Sequence, residues 1–143
     1  FYGAQTILQA YPDIKDDIKL IVLDSPMSDG KYFMEEGLKE AADENNLPFE
    51  LFTFLGNIGA RVIEGYSYNE MKSSEAIDKI EQPILIITAE DDDVVPFGQA
   101  AAIYGKAGTD AEILLSQSKH AEMVLTEKDR YSKALSTFLE KYN

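Results

Sequence analysis

The sequence predicts an α/β fold in which about three parallel strands are flanked by helices. Three short apolar runs carry this prediction, at residues 18–24, 83–89 and 112–116. Each run is rich in branched side chains and lacks the alternation of a half-exposed sheet, which is typical of strands buried on both faces. Helical patterns lie between the runs, as expected of strand–helix–strand units.

The helices are predicted from periodicity and from their end signals. A short helix over residues 4–10 is expected to end at Pro12, which cannot donate a backbone hydrogen bond. A second helix is predicted over residues 97–107. The last helix is the clearest, and Thr126 and Asp129 are spaced to form a capping box at its start. Its apolar positions repeat at helical spacing: Tyr131, Ala134, Leu135, Phe138, Leu139 and Tyr142.

The segment between the first two strands is too long for a loop without structure of its own. Two helices are predicted within it, over residues 32–46 and 49–63, followed by a short one over 74–80. We interpret residues 25–72 as a helical cap inserted over one end of the sheet. Residues 1–143 as a whole are interpreted as one partial domain.

The composition indicates a folded and strongly acidic chain. Its 143 residues include 13 Lys and Arg against 26 Asp and Glu, a formal net charge of −13. Such a surface repels phosphate backbones and anionic lipid, which argues against nucleic acid and membranes as partners. The absence of cysteine excludes disulfides and thiolate metal sites. No apolar run approaches the roughly 20 residues of a membrane span.

An acidic loop and a histidine loop follow consecutive predicted strands. Residues 90–93 are four adjacent carboxylates after the second strand, and His120, the one histidine in the sequence, follows the third. Loops at the carboxyl ends of parallel strands open at the same edge of a sheet. Histidine suits proton transfer near neutral pH. Plainer alternatives remain: a surface histidine, a solvated acidic loop, or a calcium loop, although the spacing is not that of an EF-hand.

These residues resemble a known family. The run from Pro83 to Pro96 is similar to the α/β-hydrolase pattern of a hydrophobic strand followed by His-Gly-x-x-Asp-x-x-Val-Pro, with Thr88-Ala89 in place of His-Gly. The matching position of the catalytic acid is Asp92. The turn around His120 resembles the family's His-Ala turn, so His120 matches the general base. The resemblance implies that Asp92 orients the imidazole and stabilises the imidazolium that forms.

The same resemblance implies the carboxyl-terminal half of a doubly wound parallel sheet, without the nucleophile. In the family, the serine occupies a Gly-x-Ser-x-Gly turn between a strand and a helix. Gly3 matches the last glycine of that turn, which places Phe1 at the serine position and the Tyr2 amide in the oxyanion hole. Three serines near the strand ends are interpreted as loop residues: Ser25, Ser116 and Ser118.

The implied activity is hydrolysis of a small-molecule ester or amide, as in capped bacterial esterases and serine aminopeptidases, with no cofactor or metal. This chain alone is expected to be inactive. Phe49 and Phe52 would line an apolar substrate site, although helix packing explains them equally well. The alternative is a non-catalytic binding module of the same fold.

The chain begins at Phe1 and shows no signal peptide, so it is expected to start upstream and to be cytoplasmic, with secretion left open. An uncovered strand edge predicts self-association or pairing with the missing amino-terminal half.

Overall fold

A sheet of three parallel strands, in the spatial order β1-β2-β3, forms the centre of the fold. The strands are β1 (Ile21–Asp24), β2 (Ile84–Ala89) and β3 (Ala111–Ser116). In the central strand, Ile84 lies opposite Ile21 on one side and Ala111 on the other. The predicted parallel sheet is confirmed, although β1 starts at Ile21 and not at residue 18.

The computed structural model describes residues 2–63, 65, 76–108 and 110–142, which also contain helices. They are α1 (Tyr2–Ile14), α2 (Gly30–Glu44), α3 (Phe49–Ile63), α4 (Phe97–Lys106), α5 (Met123–Thr126) and α6 (Lys128–Tyr142). None of these helices has both the length and the apolar character that a bilayer crossing requires.

The chain divides into two compact units. One comprises Phe1–Ser28 and Ser73–Asn143 and contains the sheet; the other, Asp29–Lys72, contains α2 and α3, which pack against each other. The second unit lies within the segment predicted to be a cap, 25–72, of which residue 64 and residues 66–72 lie outside the described part of the chain. Of the helix predicted over 74–80, residues 76–80 are described: 76 and 77 are helical, whereas 78 and 79 form a turn and 80 is not helical, so the prediction is wrong for these three.

Apolar side chains cover both faces of the sheet, since β2 is buried along its whole length. One face packs against α1 and α4 through residues that include Leu8, Ile86 and Ile103. The other face packs against α6, where Ile87 contacts a cluster that contains Phe138. This burial on both faces explains why the strands read as continuous apolar runs.

Helix α1 continues past its predicted end at Pro12 and reaches Ile14. The preceding turn is held by a tertiary contact. Tyr11 is buried, and its hydroxyl donates to the side chain of Gln82 (2.5 Å) and accepts the amide of Glu81 (3.1 Å). The local signal of the proline is therefore overridden by the packing of its neighbour.

The capping box predicted at Thr126 and Asp129 is wrong. Thr126 is the last residue of α5, and its hydroxyl donates to the carbonyl of Glu122 (3.0 Å). Because α6 begins at Lys128, the residue directly before its first turn is Glu127. The carboxylate of Glu127 turns to the loop that follows β3.

Candidate active site

The acid of the site lies in the loop that leaves β2. The side chain of Asp92 is fully buried. Its Oδ1 accepts the amides of Val94 (2.9 Å) and Val95 (2.7 Å), a turn in which an aspartate caps backbone groups two and three residues along. Buried polar atoms require such partners. The loop then ends at Pro96, directly before α4.

His120 lies in the loop after β3 and faces this carboxylate. Its Nδ1 is 2.8 Å from Asp92 Oδ2 and 3.0 Å from Oδ1. The ring is one-fifth exposed, at 20%, whereas the Asp92 side chain is fully enclosed. A carboxylate on Nδ1 selects the tautomer that carries its proton there. The structure thus brings together the two residues that the sequence singled out, with Nε2 directed away from the acid.

Glu127 and Arg130 hold the beginning of the histidine loop. One carboxylate oxygen of Glu127 accepts the Ser116 hydroxyl (2.6 Å) and the Gln117 amide (3.0 Å). The other oxygen accepts Nη1 of Arg130 (2.6 Å), whose Nη2 donates to the carbonyl of Leu115 (2.6 Å). The bond from Ser116, followed by that from Arg130, holds the pKa of the Glu127 carboxyl below its ordinary value of 4.5.

An ion pair on the surface joins the acid loop to the histidine loop. Nζ of Lys119 lies 2.9 Å from Oδ2 of Asp93, and both side chains are more than half exposed. Their hydrogen bond lowers the pKa of Asp93 and raises that of Lys119. Because water and salt screen an exposed pair, it contributes little to stability.

Known proteins share this architecture. No protein-family model matches the chain. It is 27% identical over 143 residues to YqkD, an uncharacterized protein of Bacillus subtilis (strain 168), a match that covers 99% of this chain and 46% of that protein. An esterase from Pyrococcus furiosus superposes with a TM-score of 0.66 and 17% identity, over 97% of this chain and 50% of the esterase.

An α/β-hydrolase enzyme from a Medee basin deep-sea metagenome, MGS-M2, gives a TM-score of 0.65 at 19% identity, over 97% of this chain and 62% of that enzyme. The chain has an α/β-hydrolase fold. It spans about half the length of YqkD and of the Pyrococcus esterase. The predicted carboxyl-terminal half of an α/β-hydrolase sheet agrees with these structures, and the predicted fold class is confirmed.

The α/β-hydrolase resemblance also assigned roles near the start of the chain. Phe1, matched to the serine position, lies outside the described residues. Tyr2 and Gly3 are the first residues of α1, the helix that the resemblance places after the nucleophile.

The two predicted substrate-lining residues, Phe49 and Phe52, begin helix α3 of the second unit and are half-buried. The same helix carries a stripe of more exposed apolar side chains: Leu51, Phe54, Leu55, Ile58 and Val62. Steps of three and four residues place them on one side of the helix. The aromatic content of the segment predicts Phe49 and Phe52 as substrate contacts, whereas its helical periodicity indicates the exposed apolar stripe.

The calcium alternative depends on the carboxylates of residues 90–93 converging. Two of them have other partners, since Asp92 contacts His120 and Asp93 contacts Lys119. Over the described residues, no group of three or more His, Cys, Asp or Glu side chains is arranged to hold a metal ion. The geometry gives the calcium loop no support.

Proposed function

We propose that His120 and Asp92 are the base and the acid of a hydrolase that cleaves a small-molecule ester or amide with a serine nucleophile. The serine would be supplied by sequence upstream of Phe1. The observation that carries the proposal is the buried Asp92 carboxylate, which faces Nδ1 of a partly exposed histidine at 2.8 Å. The second unit, Asp29–Lys72, is proposed to be a cap that lines the substrate site, with Phe49 and Phe52 as contacts.

In this reaction Asp92 keeps a proton on Nδ1 of His120, which leaves Nε2 able to accept one. Nε2 would take the proton of the serine hydroxyl while the serine oxygen attacks the carbonyl carbon of the substrate. Asp92 would stabilise the imidazolium, which then protonates the departing alcohol or amine. A water molecule then attacks the acyl-enzyme in the same way, with His120 as the base. The carboxylic acid product is released and the serine is restored. The Tyr2 amide is the proposed donor to the oxyanion.

The site excludes some neighbouring carboxylates from the role of the acid. Asp93 contacts Lys119 at the surface and is more than half exposed, and Asp91 is exposed as well. A carboxylate in water orients a histidine less firmly than one enclosed by protein, because water competes for its hydrogen bonds. Asp92 is therefore the acid of choice among the three.

We also propose that the free edge of β1 pairs with a strand from outside this chain. β1 is bonded to β2, and none of the described residues forms a strand on its other side. An open edge of this kind favours association. The chain should therefore self-associate in a concentration series by analytical ultracentrifugation, unless its natural upstream sequence is present. A monomer at every concentration would contradict this.

Activity tests the proposal directly. The protein with its natural upstream sequence and the 143-residue chain should be incubated with a fluorophosphonate probe and with p-nitrophenyl butyrate, since the Pyrococcus neighbour is an esterase. We expect labelling and turnover in the longer protein only, and a loss of turnover by about 10⁴-fold or more in His120→Gln. Asp91→Asn, which changes an exposed carboxylate next to the acid, is the matched control.

Two results would contradict the proposal. Labelling of the 143-residue chain by itself would mean that one of its own serines is the nucleophile. The absence of labelling and turnover in both proteins would favour the non-catalytic binding module.

A further inference from the structure

Two residues with left-handed backbone meet beside the histidine loop. Ser25, directly after β1, has φ of 45°, and Ala121, directly after His120, has φ of 53°. Residues with a Cβ adopt this conformation at a cost, and they keep it where their surroundings over-determine it. The amide of Ala121 donates to the hydroxyl oxygen of Ser25 (3.2 Å), so the two strained residues are bonded to each other.

Ser25 is itself fixed from several sides. It is buried, and its amide donates to the carbonyl of Ile87 in β2 (2.8 Å), the strand that leads to the acid loop. Its hydroxyl donates to one oxygen of Asp24 (3.3 Å), and the other oxygen accepts the hydroxyl of Tyr131 from α6 (3.2 Å). Burial, followed by the charge of Asp24, raises the pKa of Tyr131, so the phenol remains a donor.

We propose that Ser25 is a positioning residue for His120, because its hydroxyl fixes the backbone on which the imidazole is carried. The Ala121 amide belongs to the planar peptide group that starts at His120, so a bond to it restricts the ψ angle of His120. Asp92 restrains only the far end of a rotatable side chain. Asp24 and Tyr131 act one step further away, because they orient the Ser25 hydroxyl. This inference rests on the proposed function, in which His120 is the base.

Hydrogen exchange on the 143-residue chain tests the contact without any turnover. Ser25→Ala removes the hydroxyl and keeps the strain, whereas Ser25→Gly removes the hydroxyl and tolerates the positive φ. We expect both to raise the exchange rate of the Ala121 amide roughly 2- to 10-fold. Ser28→Ala is the matched control, because Ser28 is also buried and bonds to Gln99 (2.7 Å).

The imidazole gives a second readout. His120 is the one histidine of the sequence, so its ring resonances need no assignment among several. Both Ser25 variants should broaden or split them in the folded protein, and Ser28→Ala should not. A serine that only stabilises the fold would leave these resonances unchanged, whatever its effect on the Ala121 exchange. That result, in either Ser25 variant that folds, would overturn the inference.

Kinetics of the protein with its natural upstream sequence complete the test. A misplaced base should lower kcat by about 10-fold or more and leave KM nearly unchanged, because the serine–histidine geometry matters in the transition state. A rise of about 10-fold in KM with kcat unchanged would contradict a positioning role. If the unaltered protein neither reacts with the fluorophosphonate probe nor turns over an ester or amide, the proposed function is rejected instead, and the exchange and resonance results still test the contact of Ser25.

Discussion

The two loops that meet at the site are held in opposite ways. The acid loop supports itself, since Asp92 accepts the amides of Val94 and Val95 within the same turn. The histidine loop depends on residues from elsewhere in the chain. Glu127 holds its beginning, and Ser25, which is 96 residues away from its partner, holds its end.

This difference separates two ways to damage the site. If the proposed function holds, a change in the acid loop removes the chemistry and the local fold together, because the Asp92 carboxylate would serve both. A change around the histidine loop would displace the proposed base while every proposed reacting group is still present. Substitutions that lower stability and turnover to different extents in the two loops test the comparison.

Replacement of Asp92 should have the largest effect. Asp92→Ala leaves the half-exposed Val94 amide and the buried Val95 amide without their acceptor, and we expect a loss of about 2–4 kcal/mol in the free energy of unfolding. Asp92→Asn keeps an oxygen that accepts from the amides, so it should lose less stability. Its kcat should nevertheless fall by about 10⁴-fold, because the histidine tautomer is no longer selected. Urea unfolding and ester turnover measure the two effects. Equal stability of the two variants would contradict a self-supporting loop.

His120 could be predicted from sequence, but the way its loop is held could not, whereas the self-supporting acid loop could be predicted together with its contacts. Asp92, Val94 and Val95 act within one short motif, so a pattern over adjacent residues contains the whole arrangement. The strands were predictable for a related reason, because burial on both faces leaves continuous apolar runs. Ser25 was interpreted as a loop residue, since its partner at Ala121 is brought close only by the parallel sheet.

The predicted ends of two helices were wrong for the same reason, because tertiary contacts determine where these helices end or begin. α1 passes Pro12 because Tyr11 is anchored by Gln82, and the box at Thr126 does not form because α6 starts later. Glu127 consequently turns its carboxylate to Ser116. Each of these outcomes depends on tertiary contacts that no local pattern contains.

The Glu127 contact should weaken in acid. Its pKa lies below 4.5 in the folded chain, so the carboxylate stabilises the fold fully above its unfolded pKa, and this contribution is lost as the pH falls through the lower, folded value. We therefore expect the protection of the Gln117 amide from exchange to be complete at neutral pH and to decline below pH 4.5. Glu127→Gln should lower the protection at neutral pH and abolish most of its pH dependence.

Glu140→Gln is the control for that experiment, since Glu140 is an exposed carboxylate on α6. It should leave the protection of Gln117 and its pH dependence unchanged. A pH dependence that survives in Glu127→Gln would show that another group opens the loop.

Ala121→Gly should separate stability from positioning. At φ of 53° the change relieves strain but enlarges the freedom of the unfolded chain, so we expect stability to be unchanged or to rise by up to about 1 kcal/mol. Turnover should fall severalfold, because a glycine at position 121 gives the backbone next to His120 more conformational freedom. Ala102→Gly, at an exposed position within α4, should instead cost about 1 kcal/mol. Urea unfolding of both variants makes the comparison, and a shared destabilisation would contradict the strain argument.

The Lys119–Asp93 pair should matter least, although it joins the two loops at the surface. Both side chains are more than half exposed, so water screens their attraction and each loses conformational freedom when it is held. Lys119→Gln should therefore leave the urea midpoint unchanged and alter turnover by no more than about twofold. The Ser25 variants should lower turnover further although they remove no charge. If Lys119→Gln lowered kcat as much as Ser25→Ala, surface charge and not the buried hydroxyl would align the histidine loop.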